Sequence, residues 1–314
     1  MKLGFELRGA GGEPIDLRRT FSSHGVAELP PFRLDGTVPS LTVTLALGRS
    51  ARTLTVAPGS SGRGVVAVTG PSPTASMERE IMSEIRRVLR LDEDLSEFYA
   101  RARRDPSLVW ACSGAGRMIR SQTVFEEVVK TVCTTNCAWS ATERMVGALV
   151  EHLGKRAPGA PAVGSAGRAF PTAAAMAEAD EGFYRDVARA GYRGAYLRSL
   201  AASVAAGQLD PQQLERDAPE GLSDDEVEAR LLEISGVGPY AAAHVMMMLG
   251  RYSRLILDSW TRPKYARLVG RKEVSDATIQ KRFGPYKEYA GLAFWLFLTR
   301  DWIDEPSPQV PAQA

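Results

Sequence analysis

Between residues 41 and 68 apolar side chains recur at every second position. Leu41-Thr-Val-Thr-Leu-Ala-Leu47 alternates, Arg52-Thr-Leu-Thr-Val56 keeps the period, and Gly64-Val-Val-Ala-Val68 follows a Gly/Ser turn. Short strands divided by Gly, Pro and Ser predict a small antiparallel sheet with one covered face. Gly70-Pro-Ser-Pro-Thr74 breaks the alternation and is read as a domain boundary. Beyond it the period changes to that of a helix. Spacings of i, i+3, i+4 predict helices over 77–89, 95–104, 123–132, 138–153, 172–177, 182–190, 195–207, 223–232, 239–249 and 287–298. Residues 155–169, rich in Gly, Ala and Pro, predict a long loop, and 306–314 a frayed tail. The chain therefore reads as α+β: an N-terminal antiparallel β domain over 1–74, then a mostly helical core over 75–305.

Composition narrows the classes. The 314 residues are 44% hydrophobic and 24% charged, which excludes wholesale disorder and fibrous folds. No apolar run reaches the ~20 residues of a membrane helix; the longest spans 290–298. Residues 1–7 lack the apolar stretch of a secretory signal. Three cysteines exclude a disulfide scaffold and point to a reducing cytoplasm. Cys133 and Cys137 lie one helical turn apart, but Cys112 does not complete a four-ligand site, so no metal cofactor is expected.

The net charge of +2 hides an uneven distribution. Residues 251–287 carry ten basic residues against three acids, a net of +7, whereas 181–230 carry ten acids against six arginines. A local polyanion site and a solvated helical face both account for the basic segment.

The sharpest local signal is Leu231-Leu-Glu-Ile-Ser-Gly-Val-Gly-Pro-Tyr-Ala-Ala-Ala243. Gly236 and Gly238 flank Val237 and permit positive φ in a turn, and Pro239 suits the first turn of the next helix. Backbone amides of such a hairpin, at a helix N-terminus, form an anion site that fits a nucleic-acid phosphate. An ordinary turn between two helices is the alternative. Leu255-Ile-Leu257 then delivers Asp258, read either as a helix N-cap or as a carboxylate at the mouth of a cleft.

Hairpin and aspartate together resemble the HhH-GPD superfamily of DNA glycosylases, in the 3-methyladenine glycosylase II and 8-oxoguanine branches. Val132-Cys-Thr-Thr-Asn136 is similar to the segment that fills the gap left by an extruded base. Gly191-Tyr-Arg-Gly-Ala-Tyr-Leu197 resembles the G-Y-R-A-x-Y element, with Gly194 in place of alanine, and Phe283-Gly-Pro-Tyr-Lys-Glu-Tyr-Ala-Gly291 the start of the last core helix. His24-Gly25 falls where relatives approach the extruded base.

The resemblance implies a two-lobed helix-hairpin-helix core and a partner, double-stranded DNA containing a damaged base. It gives Asn136, Tyr192 and Arg193 as DNA-binding residues beside Gly236, Val237 and Gly238. It gives Asp258 as the carboxylate that stabilises charge on the sugar during N-glycosidic cleavage. Bifunctional relatives place a lysine where Tyr240 stands, so a monofunctional enzyme without Schiff-base chemistry is expected. Phe294 and Ala141 replace the glutamine and arginine of 8-oxoguanine enzymes. An aromatic pocket of Tyr240, Trp260 and Phe294, with His244 nearby, favours a cationic alkylated purine; core packing accounts equally well for Phe294. The alternatives are an 8-oxoguanine glycosylase with an altered pocket and a catalytically inactive damage-binding protein. No cofactor is expected beyond a monovalent cation on the hairpin carbonyls, which the family can hold. The expected state is a monomer, cytoplasmic and nucleoid-associated.

Overall fold

The computed structural model describes residues 1–35 and 38–303; the expected tail over 306–314 lies outside the described residues. Five strands form one antiparallel sheet: β1 (Lys2–Glu6), β2 (Phe32–Asp35), β3 (Ser40–Leu47), β4 (Ser50–Pro58) and β5 (Arg63–Val68), in the order β1-β5-β4-β3-β2. The alternating residues set the register. Leu41 faces Val56 and Val43 faces Leu54 across β3 and β4, and Val56 faces Val66 across β4 and β5. The period-two analysis misses β1 and β2. Along β1 only Phe5 is buried, and β2 has four residues, too few to display a period.

The sheet's core does not end at residue 74. Helix α2 (Ala75–Val88) lays Ile81, Ile85 and Val88 onto Leu41, Leu45, Leu54 and Val56, so the boundary expected at Gly70–Thr74 is only a turn within one packed unit. A sheet with one apolar face has to cover it, and the next amphipathic segment in the chain does so. Further contacts bind this unit to the helices. Trp295 Nε1 donates to the Ser23 carbonyl at 2.7 Å, and the buried Arg117–Glu13 pair closes at 2.5 Å.

The remaining helices divide between two cores. The first gathers α4 (Val124–Thr134), α5 (Trp139–Leu153), α6 (Ala173–Glu178), α7 (Arg193–Ala205) and α8 (Asp224–Leu232). The second gathers α3 (Ser96–Ala102), α10 (Thr261–Leu268), α11 (Asp276–Phe283) and α12 (Ala290–Thr299). Helix α9 (Pro239–Met248) belongs to both: Ala241, Ala242, Val245 and Met246 face the first, Ala243, Met247 and Met248 the second. Apolar on all sides, it is buried on all sides.

Helices α10 and α11 escape the sequence analysis because charge interrupts their stripes, which are reduced to Tyr265 and Ala266 in one and Ile279 and Phe283 in the other. The last helix starts later than expected, at Ala290, since Lys287 adopts φ +53° in the preceding 3₁₀ stretch. Residues 183–187 form a π-turn rather than an α-helix.

Among the described residues five of the basic segment's ten cations form ion pairs, two of them with the acidic segment. Arg251 meets Asp224 at 2.9 Å, Arg254 meets Glu228 at 2.8 Å and also Asp225, and further along Arg262 meets Asp276 and Lys264 meets Asp301, both at 2.7 Å. Arg282 pairs with Asp105 at 2.6 Å. The segment is therefore not one continuous anion-binding face.

The chain from Tyr252 to Asp258 crosses the start of α12 at Gly291, whose amide donates to the Tyr252 carbonyl at 2.7 Å. A Cβ there would lie 2.0 Å from the Arg254 carbonyl oxygen. Gly291→Ala is therefore expected to displace this segment and to destabilise the fold by about 1–3 kcal/mol, read as a lowered urea midpoint.

Candidate active site

A cleft of about 600 Å³ opens at the N-terminal end of α9. Its wall is made by the α4–α5 turn (Thr134, Thr135, Asn136), the start of α7 (Tyr192, Tyr196), the hairpin from Gly236 to Ala241, and Leu257, Asp258 and Ser259. Asp258 is the one charged residue in that lining.

The hairpin is built by local rules. A capping box between Ser223 and Glu226 starts α8, the Val237 amide donates to the Ile234 carbonyl at 3.0 Å, and Pro239 opens α9. Only one of the two glycines is left-handed. Gly236 has φ +89°, and a Cβ on it would lie 2.8 Å from the Tyr196 ring; Gly238 has φ −97° and open space where a side chain would begin. Of the Gly-Val-Gly amides expected to form the anion site, that of Val237 is spent inside the turn. The amides of Tyr240 and Ala241 have no carbonyl behind them in α9, so the anion-binding potential moves to the helix start itself.

Asp258 lines the cleft and also caps the start of α10. Its Oδ1 accepts from the amides of Trp260 at 2.9 Å and Thr261 at 2.6 Å, while its own amide donates to Thr261 Oγ1 at 2.8 Å. Thr261 is fully buried, so this reciprocal hook is rigid. Oδ2 carries no hydrogen bond among the described residues. One carboxylate oxygen is anchored at the start of α10; the other is free for the cleft.

Tyr240 stands beside it, its hydroxyl bonded to Thr134, and burial followed by the Asp258 charge pushes its phenol up to about 12. It is neutral at any physiological pH. His244 does not reach the cleft. It is buried one turn behind Tyr240, with ring centroids 6.1 Å apart, and its ring meets His24 edge-on at 6.0 Å. His24 Nε2 lies 2.7 Å from the Ile119 carbonyl and must carry the proton there. Among the described residues His24 Nδ1 and His244 Nε2 have no hydrogen-bond partner.

Two other expected pocket residues lie elsewhere. Phe294 is fully buried in the second core, 5.3 Å from Phe283 and 6.0 Å from Tyr265, which decides in favour of packing. Trp260 packs against Trp295 at 5.8 Å and Trp302 at 5.9 Å, and the cleft lining does not include it. Trp260 is half-buried against the second core.

Asn136 and Tyr192 do meet at the cleft lip, both exposed, and Asn136 adopts φ +48°. Arg193 departs from expectation: it is 7% exposed and donates to the carbonyls of Thr135 and Asn136. The sequence analysis missed Tyr196, Thr134 and Thr261. Tyr196 was legible as the residue four after Tyr192 on one helix face. Cys133 is buried with its thiol pushed up to about 12, and among the described residues no group of three or more His, Cys, Asp or Glu could hold a metal.

Burial holds both histidines near a pKa of about 4, against a free value of 6.5. The unfolded chain binds their protons first, so stability falls as pH drops from about 6.5 to about 4 and these two groups add nothing further below that. Urea midpoints across this range are expected to decline for the wild-type chain and to decline less for His244→Asn.

Neither a protein-family model nor a characterised protein sequence matches the chain. Solved structures do. The 3-methyladenine DNA glycosylase from Archaeoglobus fulgidus aligns with TM-score 0.71 and 18% identity over 95% of this chain and 98% of that one. MBOgg1 in complex with a low-affinity DNA ligand gives 0.71 and 18% over 97% and 96%. The apo 8-oxoguanine glycosylase/lyase of Clostridium acetobutylicum gives 0.69 and 20% over 92% and 94%. The chain thus has, over nearly its whole length, the fold of the HhH-GPD DNA glycosylases.

Proposed function

We propose that this protein is a base-excision DNA glycosylase that hydrolyses the N-glycosidic bond of an alkylated purine and has no lyase step. The observation that carries the reading is the half-anchored Asp258 carboxylate in a cleft whose floor is a helix N-terminus. A phosphate at the amides of α9, with Gly238 leaving its approach open, sets the adjoining deoxyribose in front of Asp258. As the bond breaks, positive charge grows on the sugar. The free Oδ2 stabilises it and orients water on the opened face. The hook through Thr261 holds the carboxylate in place before substrate arrives.

The lining supports the substrate class. The rings of Tyr196 and Tyr240 and one carboxylate, with no lysine or arginine among the lining residues, favour a cationic base. Tyr196 and Tyr240 thus stand in place of the pocket expected from Trp260 and Phe294. Tyr240 cannot form an imine, and the nearest downstream lysine, Lys264, is held by Asp301 at 2.7 Å. The carbonyls of Ser235, Gly236 and Val237 accept no backbone N–H among the described residues and would hold a monovalent cation, adding positive charge beneath the phosphate.

Duplexes each bearing one lesion test the reading. Alkylpurine release is expected, leaving an alkali-labile abasic site and no borohydride-trapped adduct. Release of 8-oxoguanine instead, the lesion that gives the clostridial enzyme its name, would transfer the assignment to that class. Asp258→Asn keeps the oxygen that caps α10, so it is expected to fold and bind DNA while losing base release by about 10²–10⁴-fold. Undiminished release would remove Asp258 from the chemistry.

A further inference from the structure

Arg193 opens α7 at the cleft lip, where an arginine is ordinarily solvated, yet it is 7% exposed. Its Nε donates to the Thr135 carbonyl at 3.0 Å, and its Nη2 to the same oxygen and to the Asn136 carbonyl at 2.9 Å. The guanidinium carbon lies 4.5 Å from the centre of the Tyr192 ring. One side chain therefore grips the turn between α4 and α5 and also supports the exposed aromatic ring of a different element.

The gripped turn passes through a left-handed residue. Asn136 has φ +48°, a conformation that asparagine adopts more readily than other residues with a side chain. With the carbonyls of residues 135 and 136 drawn inward to Arg193, the Asn136 side chain is left exposed on the lip. Tyr192 is 53% exposed beside it and meets Tyr196 edge-on at 5.8 Å. Two exposed planar groups from separate elements are tied to one buried cation.

We propose that Arg193 is a positioning residue: it fixes Asn136 and Tyr192 as one preformed wedge that occupies the gap left in the stack by an extruded nucleotide. The inference rests on the glycosylase reading of the cleft. It differs from a phosphate contact in a measurable way, since each neutralised phosphate steepens the salt dependence of binding and a positioning residue does not. It also requires the fork geometry of arginine, which lysine lacks despite its equal charge.

The test uses the full chain and two duplexes, one intact and one with a tetrahydrofuran abasic site flanked by 2-aminopurine. Affinity is measured across a salt series and stacking by 2-aminopurine fluorescence. Wild-type preference for the abasic duplex is the check on the parent reading; without it both readings fall. Given that preference, Arg193→Lys and Arg193→Gln are each expected to lower it about tenfold, the worth of one stacking group. The salt slope is expected to stay unchanged and the wild-type fluorescence change to be lost. Asn136→Ala combined with Arg193→Gln is expected to be no worse than Arg193→Gln alone, because the two act as one unit. A slope reduced by about one in Arg193→Gln would assign the residue to a phosphate instead. An unchanged preference in Arg193→Lys would overturn the proposal. Thermal unfolding of each variant separates a lost wedge from a lost fold, and a wedge intact in any folded Arg193 variant also counts against it.

Discussion

Helix α9 has no solvent-facing side, and the site depends on that constraint. Because Ala241, Ala242 and Val245 pack into one core and Ala243, Met247 and Met248 into another, the helix cannot rotate or slide without disturbing both. Its start is fixed at the seam of the two helical groups, and with it the hairpin and Tyr240. The small side chains matter here: three consecutive alanines let neighbouring helices approach closely. Asp258 arrives from the second core along an irregular segment held by Gly291, so hairpin and carboxylate are positioned by different parts of the protein.

Charge closes the assembly. The acidic stretch before the hairpin and the basic stretch after it meet through Arg251, Arg254, Asp224, Asp225 and Glu228. Arg120 and Arg87 both reach Glu215, joining α2 and its sheet to the helical groups. Partly buried pairs of this kind add little net stability, yet removing one partner leaves an uncompensated charge. Their effect is to fix one arrangement of the three packed units.

How much of this was legible in the chain depended on whether the deciding contacts were local. The β3–β5 meander was readable because its residues alternate, and the hairpin because Gly, Pro and the capping box act within a few residues. Phe294 was not: α12 is apolar throughout, so no period distinguishes a face toward the cleft from a face toward the core. Arg193 was not either, because its acceptors come from a turn far earlier in sequence. The two readings of Asp258 turned out not to compete, since capping a helix with one oxygen leaves the other unoccupied. Charge hid α10 and α11, whose apolar stripes are narrow.

Gly236 and Gly238 are two residues apart and answer to different demands. At Gly236 the chain itself forbids a side chain, both by its left-handed backbone and by the Tyr196 ring. At Gly238 nothing in the protein objects. A methyl group there would leave melting behaviour untouched and be felt only by an incoming molecule. Screens that score variants by folding alone would therefore rank the first glycine as essential and pass over the second, although the proposed phosphate approach runs over the second.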